Sequence, residues 1–595
     1  MPQKPLKILG LSFFYHDAAA CLMINGKVVA AVQEERFTRK KHDDSFPIKA
    51  IKYCLDFSNL SANDIDYIVF YDKPILKFER LLRTYIRTWP KGLRSFIMAM
   101  QIWLKDKLWV EQKIRKHLNY SGEIFFCEHH YSHAASAYYA SDFDEAIVVT
   151  TDAVGEWDTT TFGYGRDNQL VLTHTIKFPD SLGMLYSALT YYLGFRVNSA
   201  EYKVMGLAPY GNPDIYYDKF KKLIDIKEDG SFKLNMKYFA YEYGLTMTNR
   251  KFNKLFGGLP RKPESELTQR QKDIAAALQK VTEEVVLKMV KYAKKLHPSE
   301  NLCLAGGVAL NCVANGKILK EKIFKNIYIQ PAAGDAGGAV GAALYFYYEC
   351  LKNKKQKGTM NNIYLGPEYN DEQLEEFLER GIKEIIGHKK VNYKKISEED
   401  LTAEIAKLIN GNNAIGWFQG RMEFGPRALG NRSIIADARN KENWQKVNLK
   451  IKFRENFRPF APTILEEKSS EYFDLNCPSP YMLLVGQVKK KKNVPAITHV
   501  DNSARIQTIN KEQNEKYHDL INEFYKLSGC PIIINTSFNV RGEPIVESPK
   551  NAFECFINTH MDYLVMGNYL ISKKENMHLV DVDRLNSYLS KFKLD

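Results

Sequence analysis

A two-domain α/β protein is the fold class that this sequence predicts, and three observations lead to it. The chain has 595 residues, which is too long for one hydrophobic core, so two or three domains are expected. Short apolar, β-branched runs alternate with helical segments, often across glycine-rich turns. The Lys-rich stretch 352–359 has no apolar pattern. We therefore place a boundary there and predict domains at 1–355 and 356–595.

Charge and cysteine usage narrow the class of protein. The net charge of +14 and pI near 9 indicate anionic ligands such as nucleotides or phosphates, although a Lys-rich surface has the same effect without a partner. The nine cysteines are scattered and form no CxxC, which favours a reducing cytoplasm over a disulfide framework or a cysteine zinc site. Residues 8–12 are strand-like rather than a signal core, and no apolar stretch is long enough to span a bilayer.

The first elements form a strand, a tight turn and further strands. Residues 8–12 and 21–24 are apolar, and Asn25-Gly26 predicts a type I′ hairpin leading into a strand at 27–33. The charged segment 34–42 follows. It is either a solvated loop or, as we favour, part of a site on the same sheet edge as His16 and Asp17.

Residues 76–118 are predicted to be helical and strongly basic, with Trp89, Trp103 and Trp109 among the Lys and Arg residues. Such a segment could bind an anionic surface or a nucleic acid by charge and stacking. The alternative, which we favour, is an amphipathic insert whose aromatic side chains pack on the main body.

A candidate metal site follows. If residues 128–137 open a helix, His129 and His133 stand one turn apart on one face. The run 145–151 reads as a buried strand, and Asp152 stands at its carboxyl end, where open α/β sheets bind ligands. Two histidines and an aspartate suit a divalent metal. The alternative is a helix cap followed by core histidines.

Glycine-rich turns predict a nucleotide cleft in the same domain. Lys203 lies in a glycine-punctuated turn, a plausible phosphate contact. Gly306-Gly307 separates a strand from the start of a helix near Asn311, and Gly334 with Asp335 repeats that arrangement. Such turns let a nucleotide approach backbone N–H groups, although glycine pairs also serve tight packing.

The second domain carries arginines on loops rich in Gly and Pro. Such cations are costly to hold close together unless an anion neutralises them, and arginine grips phosphate bidentately. Structural ion pairing is the alternative, but acidic residues are sparse in these segments. The predicted anion pocket draws on Arg427, Arg432, Lys452, Arg454, Arg458, His499, Arg505, Ser537 and Asn539.

Taken in order, these motifs resemble the O-carbamoyltransferases of antibiotic and nodulation-factor biosynthesis, over nearly the whole chain. The matching segments of the first domain are 15–17, 34–36, 129–133, 152–156, 203–206, 306–311 and 334–337. Those of the second domain are Arg427, Lys452 with Arg454, and Ser537 with Asn539.

The resemblance implies the two folds and the ligands of the first domain. The first domain would belong to the actin-like ATPase (ASKHA) superfamily, similar to the tRNA threonylcarbamoyl transferases. The second would resemble the enzymes that make threonylcarbamoyl-adenylate. The implied metal ligands, with iron as the metal the family uses, are His129, His133, Asp152 and Asp335.

The resemblance also implies roles for single residues. The catalytic residues would be His16 and Asp17 beside the transferred carbamoyl group and Lys452 and Arg427 in the second domain. Arg505, Ser537 and Asn539 would complete the carbamoyl-phosphate and ATP pocket. Tyr202 stands where the family would have glycine, which affects local acceptor or nucleotide contacts and not the chemistry.

Two half-reactions are implied. Carbamoyl phosphate loses phosphate, and the carbamate attacks the α-phosphorus of ATP, bound with Mg²⁺, to give carbamoyl-adenylate and pyrophosphate. The carbamoyl group then passes to a hydroxyl of a small-molecule acceptor, whether sugar, polyketide or alkaloid, and AMP leaves. A cytoplasmic homodimer without nucleic-acid partners is expected. The rival hypotheses are carbamoyl transfer to a tRNA nucleoside and a non-catalytic nucleotide sensor or RNA-binding module.

Overall fold

The computed structural model describes residues 5–489 and 492–592 and divides the chain into two compact units. The first unit comprises the chain up to Glu34 together with His42–Asn361, and the second comprises Glu35–Lys41 and the chain from Asn362 onward. The short helix α1 (Glu35–Thr38) therefore belongs to the second unit, although the strands on either side of it belong to the first. That excursion was absent from the predicted boundary.

Twelve strands of the first unit lie within the described residues: β1 (Lys7–Ser12), β2 (Ala19–Ile24), β3 (Lys27–Gln33), β4 (Tyr67–Phe70), β5 (Glu123–Phe126), β6 (Glu145–Thr151), β7 (Asp158–Arg166), β8 (Gln169–Lys177), β9 (Ile224–Ile226), β10 (Phe232–Leu234), β11 (Asn301–Ala305) and β12 (Asn326–Ile329). The predicted β2–β3 hairpin is confirmed, because Asn25 and Gly26 both have positive φ, as a type I′ turn requires.

Two sheets of the first unit share one topology. Their orders are β3-β2-β1-β4-β5 and β8-β7-β6-β11-β12, apart from the small pair β9–β10. In each, the central strand pairs antiparallel with the nearer strand of a hairpin on one side. On the other side it pairs parallel with a later strand, which in turn pairs parallel with the next one. This internal duplication agrees with the predicted actin-like α/β class.

The helices of the first unit are α2 (Ile48–Phe57), α3 (Pro74–Thr88), α4 (Leu93–Ile102), α5 (Val110–Leu118), α6 (His129–Tyr138), α7 (Leu182–Tyr192), α8 (Glu201–Leu207), α9 (Asp214–Phe220), α10 (Arg250–Phe256), α11 (Gln269–Leu296), α12 (Cys312–Lys320) and α13 (Ala336–Tyr345). The Ser181 hydroxyl caps α7 by accepting the Met184 N–H at 3.0 Å.

Two expectations for the first unit are corrected. Lys203 lies inside helix α8 and is fully buried, rather than in a turn, because the helix continues through Gly206 to Leu207. In the basic insert, Trp103 is buried against Phe78, which is itself an insert residue, but Trp89 and Trp109 are 65% and 48% exposed. The expectation that the aromatic side chains pack on the main body therefore does not describe Trp89 and Trp109.

The second unit is built on one mixed sheet. Within the described residues its order is β13-β21-β20-β14-β15-β19-β16-β18-β17. Its strands are β13 (Lys394–Lys395), β14 (Ile415–Phe418), β15 (Arg432–Asp437), β16 (Ala461–Leu465), β17 (Leu484–Gln487), β18 (Ser503–Ile509), β19 (Ile532–Ser537), β20 (Tyr563–Met566) and β21 (Tyr569–Ser572). Its remaining helices are α14 (Asp371–Glu376), α15 (Lys383–Ile386), α16 (Glu398–Asn410), α17 (Lys441–Gln445), α18 (Ser469–Tyr472), α19 (Lys511–Ser528), α20 (Pro549–Ile557) and α21 (Val582–Ser590).

All nine cysteines lie in the described part of the chain and are free thiols. Across the described residues, no helix combines the length and the apolar character needed to cross a bilayer.

Candidate functional site

Four side chains predicted from the sequence as metal ligands converge in the first unit. His129 Nε2 lies 3.2 Å from His133 Nε2 and 3.2 Å from Asp152 Oδ2, and His133 Nε2 lies 3.6 Å from Asp335 Oδ1. One ligand atom from each residue lies within 4.8 Å of the others, and all four side chains are buried. We call these residues the metal-ligand cluster.

Local structure explains the convergence. The two histidines occupy the first and second turns of α6, and Asp152 follows β6 directly. Asp335 immediately precedes α13, which packs closely on α6. A Cβ at Gly341 of α13 would lie 1.7 Å from the Ser132 carbonyl oxygen, so only glycine permits this approach.

The predicted glycine pair, Gly306-Gly307, directly follows β11 and lies next to the metal-ligand cluster. Strand β11 is the parallel neighbour of β6. The Gly307 N–H donates to Asp152 Oδ1 at 2.9 Å, which fixes that carboxylate. Gly306 has φ 88°, and a Cβ there would lie 2.4 Å from the Thr151 carbonyl oxygen. Tight packing, the alternative to a nucleotide contact, thus accounts for Gly306.

Two buried carboxylates dominate the electrostatics of the cluster. Burial would raise the pKa of Asp335, but His16, His133 and His129 outweigh it and lower the pKa to about 2. Burial and Lys77 oppose protonation of His129, yet Asp152 and Asp335 raise its pKa. Asp335 Oδ1 is buried without a hydrogen bond, so a cation between the imidazoles and carboxylates would satisfy it. Two nitrogen and two oxygen donors fit a divalent first-row metal.

His130 provides the contrast within the same helix. Its Nδ1 lies 2.6 Å from the Thr150 hydroxyl, away from the cluster. Burial, with His129 and His133, lowers the pKa of His130 well below its usual value, so it is a neutral core histidine. The core-histidine alternative therefore describes His130 and not its neighbours.

His16 and Asp17 lie beside the cluster. Asp17 contacts His16 Nδ1 at 3.2 Å and His42 Nδ1 at 2.8 Å, and the His16 Nε2 lies 3.7 Å from Asp335 Oδ2. Burial would lower the pKa of His16, but Asp335 and Asp17 raise it to about 10. Tyr71 donates its hydroxyl to the same Asp335 oxygen at 3.3 Å. Asp17 thus orients His16 toward the metal-ligand cluster.

Three cations beside Tyr15, which precedes His16, were not predicted. Lys77 pairs with Asp72 at 2.6 Å, and its Nζ lies 3.9 Å from the Tyr15 ring centroid. Lys107 lies 4.1 Å from the same centroid, and burial and Lys77 lower its pKa to about 8. Arg80, one turn after Lys77, lies 5.1 Å over the Phe178 ring. Neither Arg80 nor Lys107 forms a salt bridge with a described carboxylate. The helical periodicity of α3, which puts residues 77 and 80 on one face, was the available signal.

The other predicted nucleotide contacts of this unit have separate environments. The Lys203 ammonium lies 5.6 Å over the Phe195 ring. Asn311 caps α12 through the Ala314 N–H and exchanges hydrogen bonds with Gln279. Gly334 faces open space, with no atom within 4 Å of a Cβ placed there.

In the second unit, Lys452, Ser537 and Asn539 come together as the sequence predicted. The buried Lys452 ammonium donates to the Ser537 carbonyl oxygen at 2.6 Å and also to Asn539 Oδ1. Burial, followed by the charge of Arg454, lowers the pKa of Lys452 well below its usual value. The site is therefore electrostatically short of an anion.

Further arginines surround Lys452. Arg454 donates from Nε to Asn448 at 2.6 Å and lies 4.5 Å over the Phe460 ring. Glu455 pairs with Arg458 at 3.0 Å and with Arg541 at 3.2 Å. We call Lys452, Arg454, Arg458 and Arg541 the cation cluster. Sequence reasoning assigned no role to Glu455 or Arg541, although both lie in the segments it singled out.

The remaining residues that were predicted to bind an anion lie in different environments from Lys452. Arg432 is fully buried, donates to the carbonyl oxygens of Gln419, Gly420, Asn431 and Pro367, and stacks 3.7 Å over Phe418. It therefore holds loops in place through backbone carbonyl oxygens, rather than through the ion pairs that the alternative invoked. Arg427 lies on the loop before β15, Arg505 lies on β18, and His499 faces Asp501 at 3.5 Å.

The charged segment 34–42 is divided between the two units. Glu34 accepts the Ala50 N–H in the first unit at 2.8 Å, while Arg39 pairs with Glu543 at 2.8 Å within the second. Arg36 donates to the Gly425 carbonyl oxygen at 2.7 Å. His42 of this segment contacts the predicted neighbour Asp17 in the first unit.

Comparisons with known proteins match both units. Residues 7–344 match the family model described as carbamoyltransferase N-terminus, and residues 406–573 match carbamoyltransferase C-terminus. The chain is 52% identical to the uncharacterized protein sll1178 of Synechocystis sp., covering 95% of this chain and 96% of that protein. It is 37% identical to nodulation protein NolNO of Sinorhizobium fredii, covering 94% of this chain and 79% of that protein.

Similarity to solved structures is weak. Component A of the (R)-2-hydroxyglutaryl-CoA dehydratase of Acidaminococcus fermentans is 12% identical, covering 57% of this chain and 97% of that chain, with a TM-score of 0.31. So low a score adds nothing to the topology described above. The two family models together span most of the chain, and the chain therefore belongs to the carbamoyltransferase family and is an enzyme that transfers carbamoyl groups.

Proposed function

We propose that the protein is an ATP-dependent O-carbamoyltransferase. It makes carbamoyl-adenylate from carbamoyl phosphate and ATP and transfers the carbamoyl group to a hydroxyl of a small-molecule acceptor. The observation that carries this proposal is the pairing of two opposite sites in one chain of this family. The first unit gathers buried carboxylates and imidazoles, and the second gathers buried cations.

The first half-reaction is assigned to the second unit. Carbamoyl phosphate carries the negative charge that the cation cluster lacks, and Lys452 lies beside Ser537 and Asn539, which offer neutral hydrogen-bond partners. Water adds to the carbamoyl carbon and displaces phosphate, which gives carbamate; a carbamate oxygen then attacks the α-phosphorus of ATP, and pyrophosphate departs. Clustered cations suit this step because nucleotidyl transfer depends mainly on positioning and charge stabilisation. Arg427 and Arg505 remain proposed contacts to ATP or phosphate.

The second half-reaction is assigned to the first unit. His129, His133, Asp152 and Asp335 would hold a divalent metal, proposed to be iron. When bound, it would supply Lewis-acid polarisation of an oxygen. With a metal bound to Asp335, the carboxylate charge that raises the pKa of His16 would be offset, and a neutral His16, oriented by Asp17, would take the proton of the acceptor hydroxyl. The oxygen then forms the ester bond to the carbamoyl carbon, and the bond to AMP breaks.

The cations beside Tyr15 suit the leaving group of that step. AMP carries a phosphate. Lys107 lies over Tyr15, the residue before His16, and Arg80 lies one turn after Lys77 on α3; neither has a carboxylate partner among the described residues. A phosphate there would neutralise them. This gives the insert a role in holding carbamoyl-adenylate.

The acceptor remains a hydroxylated small molecule of open identity, whether sugar, polyketide or alkaloid. The non-catalytic sensor is excluded by membership of an enzyme family. A cytoplasmic location, supported by the free thiols, and a homodimer are part of the proposal.

Pyrophosphate release tests the proposal. The purified protein, supplied with ATP and Mg²⁺, should release pyrophosphate only when carbamoyl phosphate is present, and mass spectrometry should detect carbamoyl-adenylate. Adding hydroxylated candidates should then convert the adenylate to AMP and a carbamoylated product. Pyrophosphate release that ignores carbamoyl phosphate would contradict the proposed first step.

A further inference from the structure

Exposed hydrophobic side chains concentrate on the helical insert. Among the described residues, 22 large hydrophobic side chains are exposed, and ten of them lie between residues 75 and 109. We call these ten the insert surface: Ile75, Leu76, Ile86, Trp89, Leu93, Ile97, Met98, Ile102, Leu104 and Trp109. Scattered exposed side chains are ordinary, but ten within 35 residues, four of them on helix α4, mark a candidate interaction site.

Helix α4 is the centre of the insert surface. Its sequence, Leu-Arg-Ser-Phe-Ile-Met-Ala-Met-Gln-Ile, is apolar on nearly every side, and of its ten residues, all described by the structure, only Ser95 is buried. Helices that are apolar all round are normally enclosed in a core or in lipid. A shallow cavity of about 510 Å³ lies against this helix, between Ile97, Leu104 and their neighbours.

The inner side of the insert is already occupied by its own unit. Ser95 Oγ donates to the Tyr243 carbonyl oxygen at 2.6 Å, and Arg87 pairs with Glu242. Lys107 lies over Tyr15 beside the predicted transfer site. The insert is thus fixed to the unit on one side, and its apolar side faces outward.

The insert surface is also basic. Residues 75–109 contain eight Lys or Arg and two Asp or Glu. Lys91, Arg94 and Lys105 are exposed next to the apolar side chains. A partner for this surface must therefore be apolar in its interior and negatively charged at its face.

The charge and the side-chain types of the insert surface favour one kind of binding partner. A second copy in a two-fold contact would bring two surfaces of excess positive charge together. A nucleic acid would favour stacking aromatics, yet eight of the ten side chains are aliphatic Ile, Leu or Met. Trp with Ile and Leu, flanked by Lys and Arg, is the composition of helices that lie in a bilayer interface. We propose that the insert surface docks on an anionic lipid bilayer, with α4 lying in the headgroup region.

Docking there would have a consequence for the enzyme. Helix α3 begins the insert surface at Ile75 and also carries Lys77 and Arg80 beside Tyr15. The bilayer face and the transfer site would therefore share an element, independently of which reaction that site performs.

Vesicle co-sedimentation of the full chain tests the proposal. The wild-type protein should sediment with vesicles of phosphatidylcholine plus phosphatidylserine, and far less with phosphatidylcholine alone or at high salt. The variant I97S/L104S should bind the anionic vesicles about tenfold more weakly, because it removes apolar contact area. The matched control I215S/L259S removes exposed aliphatic side chains elsewhere in the same unit and should bind like the wild type.

Other outcomes decide against the proposal. Equal vesicle binding by the wild type and I97S/L104S would overturn it, as would wild-type binding that ignores phosphatidylserine. A change in oligomeric state of I97S/L104S by light scattering, without vesicle binding by the wild type, would assign the surface to a second copy instead. Unaltered circular dichroism and pyrophosphate release by I97S/L104S would show that the variant folds and that the proposed first half-reaction is intact.

Discussion

The metal-ligand cluster and the cation cluster are both buried and ionisable, yet they are organised in opposite ways. In the first unit, two carboxylates and two imidazoles face one another within 4.8 Å, and the Gly307 amide and the Tyr71 hydroxyl fix the carboxylates. In the second unit, Lys452 lies among arginines, two of which pair with Glu455, and Glu543 is a further nearby carboxylate. One cluster has an excess of donors for a cation, and the other has an excess of positive charge.

That difference indicates how one chain can assign the two steps of a reaction to two different sites. Burying several charges of one sign is costly, and a ligand of the opposite sign would offset part of that cost in each cluster. A metal cation suits the first, and a phosphorylated substrate suits the second. The predictions below test whether the clusters are separate in what they bind and do.

Removing a metal ligand should have the largest effect. His133→Ala should lose bound metal and carbamoyl transfer by more than about hundredfold, since outer partners of metal sites alone cost 10–100-fold. Elemental analysis and product detection measure both. His130→Ala is the matched control, because it removes a buried histidine from the same helix that bonds Thr150 instead. Full metal occupancy in His133→Ala would remove it from the ligand set.

Removing the buried lysine should affect the other cluster. Lys452→Ala should weaken carbamoyl-phosphate use about tenfold to about a hundredfold, the range of a charge-assisted hydrogen bond of about 1.5–3 kcal/mol. The readout is the KM for carbamoyl phosphate in pyrophosphate release. Lys573→Ala, which removes a buried lysine bonded to the carbonyl oxygens of Phe556 and Thr559, serves as the control. Equal losses in both variants would indicate a folding defect instead.

Arg80→Ala should have a smaller effect, confined to the first unit. We expect about tenfold weaker use of supplied carbamoyl-adenylate, with pyrophosphate release unchanged, because one phosphate contact is lost. Arg83→Ala, on the same helix but exposed and paired with Glu79, should match the wild type. A loss of pyrophosphate release in Arg80→Ala would place it in the other half-reaction.

Proton uptake when carbamoyl phosphate binds is the smallest expected effect, and it distinguishes the cation cluster further from the metal-ligand cluster. Burial and Arg454 lower the pKa of Lys452 in the free protein, and an anion beside it would raise that pKa. Between the two pKa values, binding of carbamoyl phosphate should take up a fraction of a proton, and the fraction should fall at lower pH, where Lys452 is already charged. Calorimetry in buffers of different ionisation enthalpy measures it. Lys452→Ala should abolish the uptake.

Local sequence rules predicted the elements of the first cluster well. The i, i+4 spacing of His129 and His133 and the place of Asp152 after a β-branched run follow from helix and strand periodicity alone. The hairpin at Asn25-Gly26 was equally local. Asp335, 183 residues beyond Asp152, joined this set only through the family resemblance, because no local pattern brings them together.

Features that depend on contacts between residues far apart in the sequence could not be predicted in this way. Helix α1 joins the second unit through Arg39 and Glu543, which lie 504 residues apart in sequence. Arg432 looked like an anion ligand, but backbone carbonyl oxygens, which carry no sequence signature, occupy its guanidinium. The exposure of Trp89 and Trp109 likewise depends on what packs on the insert, and residue type alone does not reveal that.

Supplying synthetic carbamoyl-adenylate and an acceptor to Lys452→Ala and His133→Ala tests the division of labour most directly. The cation cluster is proposed to make the intermediate, and the metal-ligand cluster to consume it. Lys452→Ala should therefore transfer the carbamoyl group from the supplied adenylate, although it fails with ATP and carbamoyl phosphate. His133→Ala should fail with both donors. Rescue of both variants, or of neither, would contradict two separate sites and indicate that one site performs both steps.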